Sequence, residues 1–192
     1  MNKNAPAQTL SNLGAVFSQQ RALSRQAQLS TYTQRIASLK RLERAIAENV
    51  DGITEAIIED FGSRSKHEII LAEIYTSLAA VRYARKHLKR WMKPQKRHVS
   101  WLHQPAKAKV IYQPKGVVGI ISPWNYPFFL AIGPLITALA AGNRVMLKPS
   151  EASPATSVYL AKFLADSFEQ NHVYVALGGA DVGKAFSELA FD

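Results

Sequence analysis

At 192 residues, 47% of them hydrophobic, the chain is long enough to bury the core of one domain or of two small ones. It contains no cysteine, which excludes a disulfide framework, a thiolate zinc site and a thiol nucleophile within these residues. The formal charge of +10 is crowded between Arg82 and Arg97, with no acidic residue from Glu73 to Glu151, yet no nucleic-acid module or aromatic stacking platform accompanies it.

That basic stretch therefore reads as a solvated helix face, or as a patch that meets acidic surface elsewhere, and no nucleic-acid partner is expected. The apolar runs are too short, or too interrupted by Gly, Pro and charge, to form a transmembrane segment. The opening MNKNAPAQTL has no apolar core of a secretory signal, so a cytoplasmic protein is expected.

Thr9–Gln28 carries a thin apolar stripe through Leu10, Leu13, Val16 and Phe17, which predicts a surface-lying helix. Ser30 or Thr31 is placed to cap a second helix. Its apolar residues Ile36, Leu39, Leu42, Ile46, Val50, Ile53 and Ile57 recur at steps of three or four, with a break around Asp51–Gly52 and an end at Phe61–Gly62. A third helix is predicted from about Lys66 to Trp91, ended by Lys93–Pro94. The paired acids Glu43/Glu48 and Glu55/Glu59/Asp60 fall on helix faces, where solvated charges are the ordinary reading. The five histidines, His67, His87, His98, His103 and His172, show no metal-ligand spacing, and no metal is expected.

Between His98 and Tyr112 the period falls to two. His98–Leu102 and Lys107–Tyr112 are predicted as strands of a hairpin about Gln104–Pro105–Ala106. Next come Val117–Ile121, almost continuously apolar as in a doubly covered parallel strand, and a helical stretch from Phe128 to Ala141 that Pro134 should bend and Gly142 should cap. Arg144–Leu147 forms a second strand. A helix then opens at Ser153–Pro154, with the serine hydroxyl as cap. Val173–Val175 makes a third strand, Gly178–Gly179 a turn, and Val182–Leu189 a further helix. The pattern from Gly116 to Glu151 is a βαβ unit, whose ligand site is expected at the carboxyl ends of its strands.

Two polar loops fall at those ends. In Ser122-Pro123-Trp124-Asn125-Tyr126-Pro127, a rigid loop aims the Asn125 amide at a developing oxyanion; in the alternative reading Asn125 caps the helix or ties the loop to itself. In Lys148-Pro149-Ser150-Glu151, the ammonium and carboxylate are suited to bracketing a ribose diol, though such a segment also serves as an ordinary surface turn. Neither a GxGxxG nor a GxxxxGK[ST] phosphate loop is present.

Together, GVVGIISPWNYPFFLAIGPLITALAAGNRVMLKPSE closely resembles the coenzyme-domain signature of the aldehyde dehydrogenase superfamily. The long N-terminal helices and the GG-x-x-VG-x-AF pattern at Gly178–Phe186 resemble its class 3 and coniferyl-aldehyde branch, and the similarity runs from about residue 30 to the end. The resemblance implies an α/β fold: an N-terminal helical layer (1–97), a β-hairpin offering oligomerisation strands (98–113), and the first, incomplete part of a Rossmann-like parallel sheet that binds NAD or NADP (114–192). It assigns Asn125 to the oxyanion hole and Lys148 and Glu151, with Ser150 between them, to the cofactor ribose. Ile121, Pro123 and Trp124 would line the cleft and Gly179 would lie near the adenine pocket.

By that resemblance the family's nucleophilic cysteine and general-base glutamate lie downstream of these residues, and covalent aldehyde oxidation needs a thiolate that a sequence without cysteine does not supply. The sequence thus looks like the N-terminal portion of such an enzyme, a truncated product or a partial sequence, expected to be inactive alone. The implied full-length partner set is a small aldehyde and a second copy in a homodimer. A non-catalytic nucleotide-binding or interaction module is the alternative.

Overall fold

Val117–Ile121 (β3), Arg144–Lys148 (β4) and Val173–Val175 (β5) pair as a parallel sheet in the order β3-β4-β5, with Ile121 opposite Lys148 and Leu147 opposite Val175. The computed structural model describes residues 5–26 and 29–192. Strand β4 is buried through Val145, Met146, Leu147 and Lys148, because both sheet faces are covered. On one face lie Phe129–Ala141 (α6) and Pro154–Ser167 (α7), the crossover helices that parallel pairing requires. On the other face pack Ala5–Gln26 (α1) and Ala180–Ser187 (α8), through Leu13, Val16, Phe17, Val182 and Phe186. The side chain of Leu10 and residues 27–28, assigned to the first helix from sequence, lie outside the described ones.

The remaining N-terminal helices form a further layer over α6 and α7: Tyr32–Glu48 (α2), Val50–Phe61 (α3) and one long helix from Lys66 to Trp91. That helix comprises Lys66–Ile69 (α4), a π-helical turn at Ile70–Tyr75 and Thr76–Trp91 (α5). The expected layer is present, but α2, α3 and α5 pack chiefly on the crossover helices, while α1 packs on the strands. One apolar cluster runs from Leu39 through Ile74, Ile132 and Leu147 to Val173, joining this layer to the sheet.

Thr31 caps α2 with a reciprocal box: its hydroxyl accepts from the Gln34 N–H, and the Gln34 side chain accepts from the Thr31 N–H. The break after α2 falls at Asn49 rather than at Asp51–Gly52. Gly52 lies inside α3, where the phenol of Tyr159 fills the space that a side chain would take. Helix α6 continues through Pro134 and ends at Gly142, whose φ of 87° is the left-handed conformation of a C-cap.

The hairpin is shifted from the expected register. Gln95–Arg97 (β1) pairs antiparallel with Ala108–Val110 (β2), while Trp101–His103 forms a 3-10 turn in place of the predicted strand His98–Leu102. Trp101 is 79% exposed and Leu102 69%, so the alternation there had no buried face to support a strand. Trp91, at the end of α5, is 38% exposed.

In the basic stretch, Arg82 and Arg85 both donate to Glu43, so that acid is a bridge between α2 and α5 rather than a solvated charge. His172 packs its ring against the edge of Phe168 at 5.7 Å; burial, with Arg144 and Arg41 nearby, lowers its pKa to about 4. No described group of His, Asp or Glu side chains is arranged to hold a metal ion, and no described helix is long and apolar enough to cross a membrane.

Candidate active site

Three loops leave the carboxyl edge of the sheet side by side. The Ser122 N–H donates to Lys148 O at 3.1 Å and the Ala176 N–H to Leu147 O at 2.8 Å, so residues 122–127, 149–153 and 176–179 start from adjoining positions. Every residue singled out from sequence lies on or beside this edge. Ile121 is 62% exposed and Trp124 55%, an apolar lip on an otherwise buried unit. Pro123, Trp124 and Asn125 are exposed along the first loop.

On the second loop, Lys148 is 3% exposed and its ammonium donates to Pro149 O at 2.8 Å and to Glu151 Oε2 at 2.9 Å. An ammonium has three N–H groups, so one remains for a ligand. The Glu151 side chain is 55% exposed, and the hydrogen bond from Lys148 holds its carboxyl below the usual range. A buried donor thus stands behind an open acceptor, a pair able to bind neighbouring hydroxyl groups. Ser150 Oγ accepts from the Ala152 N–H at 3.2 Å, and Ser150 O accepts from Ser157 Oγ at 2.8 Å, which shapes the turn.

On the third loop, half-buried Gly179 precedes α8. That helix passes Lys148 closely: a Cβ on Gly183 would sit 3.9 Å from Lys148 Cε. At the same edge Ser122 Oγ is buried without a hydrogen-bond partner among the described residues, an unsatisfied polar atom beside the cleft.

Asn125 does not cap α6. The Phe128 and Phe129 N–H groups donate instead to Glu73 Oε2, at 2.8 and 3.2 Å, from the π-helical turn. Pro127 has no N–H to offer, so the first turn of α6 leans on this remote carboxylate. At the other end, Arg35 Nη1 donates to Ala140 O at 3.3 Å. An anion at the N-terminus and a cation at the C-terminus both suit the helix dipole, and α6, apolar on nearly every side, is polar-satisfied by the helical layer.

Burial raises the Glu73 carboxyl, while the two N–H groups and Arg64 pull in the opposite direction. Arg64 Nη1 donates to Glu73 Oε1 at 3.1 Å and Nη2 to the Asn125 carbonyl at 2.9 Å. Among the described residues that carbonyl contact is the one hydrogen bond of Asn125, and its carboxamide is uncommitted.

Helix α7 repeats the device. Pro154 takes the first helical position as expected, but Ser153 makes no side-chain cap. Asp60 accepts from the Ala155 and Thr156 N–H groups, both at 2.8 Å, and from Thr156 Oγ1 at 2.6 Å. Asp60 is thus a cap worth about 1 kcal/mol rather than a solvated surface charge.

Sequence reasoning missed Arg64, Glu73 and Asp60. Glu73 left one trace, since it lies four residues from both Ile69 and Ser77 on the buried side of its helix.

The model of the aldehyde dehydrogenase family matches residues 3–190. A Pseudomonas aeruginosa protein named as a probable coniferyl aldehyde dehydrogenase is 50% identical over 185 residues, which is 96% of this chain and 39% of that protein. The coniferyl aldehyde dehydrogenase of Pseudomonas sp. strain HR199 is 46% identical over 157 residues, 80% of this chain and 32% of its own length. Among solved structures, the substrate-bound state of Staphylococcus aureus AldH superposes with a TM-score of 0.90 at 32% identity. It covers 94% of this chain and 39% of that one. A Mycobacterium tuberculosis aldehyde dehydrogenase complexed with NAD+ gives a TM-score of 0.80 at 25% identity, over 94% of this chain and 37% of that one. The chain spans between about a third and two-fifths of the length of these relatives. With its parallel sheet, its helical layer and this match along nearly its whole length, the chain belongs to the aldehyde dehydrogenase family.

Proposed function

We propose that these residues form the cofactor- and oxyanion-binding half of an NAD(P)-dependent enzyme that oxidises an aldehyde to the carboxylic acid. An aromatic aldehyde of the coniferyl type is the substrate indicated by the relatives. The observation that carries this reading is the pairing of Ile121 with Lys148. It places the Asn125 loop and the Lys148–Glu151 pair on neighbouring strand ends, within reach of one extended ligand.

Lys148 and Glu151 hold the ribose hydroxyls, with Ile121, Pro123, Trp124, Ser150 and Gly179 around the cleft. Glu151 accepts from a 2′-hydroxyl and disfavours a 2′-phosphate, while Lys148 favours one, so both nicotinamide cofactors enter the test. When bound, the cofactor supplies the hydride acceptor. Asn125 donates from its carboxamide to the aldehyde oxygen as negative charge develops there. The attacking thiolate must come from outside this cysteine-free chain. Exposed Trp101, Leu102, Ile111 and Tyr112 around the hairpin are offered to a second copy in a cytoplasmic homodimer.

The test follows NADH or NADPH formation from coniferyl aldehyde. A full-length dehydrogenase carrying residues 1–192 turns over, whereas the 192-residue chain alone, free of host enzyme, does not. In the full-length protein, Lys148→Met or Glu151→Gln raises KM for the cofactor about tenfold or more, as expected for losing a charged hydrogen bond. An unchanged KM in both variants removes the ribose assignment, and turnover by the chain alone removes the need for an external nucleophile.

A further inference from the structure

We infer that Arg64 and Glu73 are positioning residues for Asn125, holding the main chain of its loop so that the carboxamide stays aimed. The inference rests on the reading of Asn125 as the oxyanion donor.

The loop is anchored at both ends and at its middle. Upstream, the Ser122 N–H donates to Lys148 O at 3.1 Å. Downstream, the Phe128 and Phe129 N–H groups donate to Glu73 Oε2. Between them, Arg64 donates to the Asn125 carbonyl with one nitrogen and to Glu73 Oε1 with another. One carboxylate therefore fixes the start of α6, and one guanidinium ties that carboxylate to the residue whose side chain must point at substrate. The arginine fork serves the two acceptors from two nitrogens fixed in one plane, whereas a lysine would have to serve both from a single, freely rotating nitrogen.

The fork is itself held. Its carbon lies 3.8 Å from the Phe61 ring centre and 5.2 Å from that of Tyr126, and the Phe61 ring stacks on Trp124 at 6.3 Å. The Arg64 side chain is 14% exposed and that of Glu73 is fully buried. Burying such a pair costs desolvation energy, and replacing it with apolar groups is often neutral or stabilising. Capping α6 explains the Glu73 carboxylate, but it does not explain why the guanidinium beside it also grips the Asn125 carbonyl. Its location fits a positioning role better: it touches the catalytic loop, and Glu73 sits in a π-helical turn, an irregularity frequent at functional sites.

The test is a double-mutant cycle on a full-length dehydrogenase carrying residues 1–192, assayed where chemistry limits turnover. Arg64→Met is expected to lower kcat about 10- to 100-fold, the scale of a misplaced reacting group, with KM for NAD(P)+ unchanged. Arg64→Lys recovers part of that loss. Added to Asn125→Ala, Arg64→Met costs nothing further, because a donor already removed cannot be misaimed. Glu73→Gln, which keeps a carbonyl oxygen for the helix N–H groups while ending the carboxylate–guanidinium link, shows the same coupling. It provides the cycle if Arg64→Met fails to fold. Losses that multiply in the double variant, or an unchanged kcat in both Arg64→Met and Glu73→Gln, overturn the positioning role alone. An unchanged kcat in Asn125→Ala overturns the oxyanion reading, and this inference with it.

Discussion

An Asn125→Ala enzyme, made in a full-length dehydrogenase that carries residues 1–192, is expected to turn over aldehyde about 100- to 1000-fold more slowly. The effect should fall on kcat, because the donor acts on charge that exists only in the transition state. The substitution is clean for a structural reason. Arg64 grips the Asn125 carbonyl, which alanine retains, and Glu73 caps α6 without any help from the Asn125 side chain. Thermal stability and KM for the cofactor should therefore change little. Asn125→Asp should be at least as impaired, since a carboxylate offers no N–H and repels the developing oxyanion. A kcat equal to the parent's in an assay limited by chemistry would sink the oxyanion role.

The second large effect concerns stability. Phe128 is fully buried at the start of α6, directly after the Asn125 loop, with its ring against Phe163 edge-on at 5.8 Å. Phe128→Ala deletes a ring at the meeting point of α6 and α7 and is expected to cost about 3–5 kcal/mol. That is a large part of the roughly 5–15 kcal/mol that holds a typical domain together. The backbone N–H to Glu73 survives the change, so the loss is a packing loss. Phe128→Leu, which keeps most of the volume, should cost less than about 2 kcal/mol. Urea unfolding of the wild-type and variant chains measures both. A loss below about 1 kcal/mol for the alanine variant would mean that the site collapses around the cavity.

Much of this molecule can be read directly from its residues, for one physical reason. Burial acts on each side chain where it stands, so a helix packed on one side shows Leu39, Leu42 and Ile46 at steps of three or four. A strand covered on both faces shows an almost unbroken apolar run, as in β3 and β4. Local hydrogen bonding is equally visible: the Thr31–Gln34 box and the Gly142 cap involve near neighbours in the chain. From these came the βαβ unit and the loops at its strand ends, and with them Asn125, Lys148 and Glu151.

Where the local signal was weak, placement slipped. Strand β1 is exposed along its whole length, so nothing in its own side chains marks it, and its register is set by pairing with β2. For Lys148–Glu151 a ribose bracket and an ordinary surface turn were both open readings from local sequence, and only the fold shows the ammonium buried and the carboxylate open.

The polar contacts between layers belonged to the tertiary structure alone. Asp60 and Glu73 accept from N–H groups at helix starts 95 and 55 residues further along the chain, and Arg35 reaches Ala140 across 105. No local pattern can announce such partners. A helix end needs a donor or acceptor wherever packing leaves it dry, and which side chain supplies it depends on which layer comes to rest there. The sequence by itself determined most of the elements, the βαβ unit and the polar loops at its strand ends. Only the packing of the helical layer onto α6 and α7 decided what holds those loops in shape, because buried polar groups are satisfied by proximity in space and not by order along the chain.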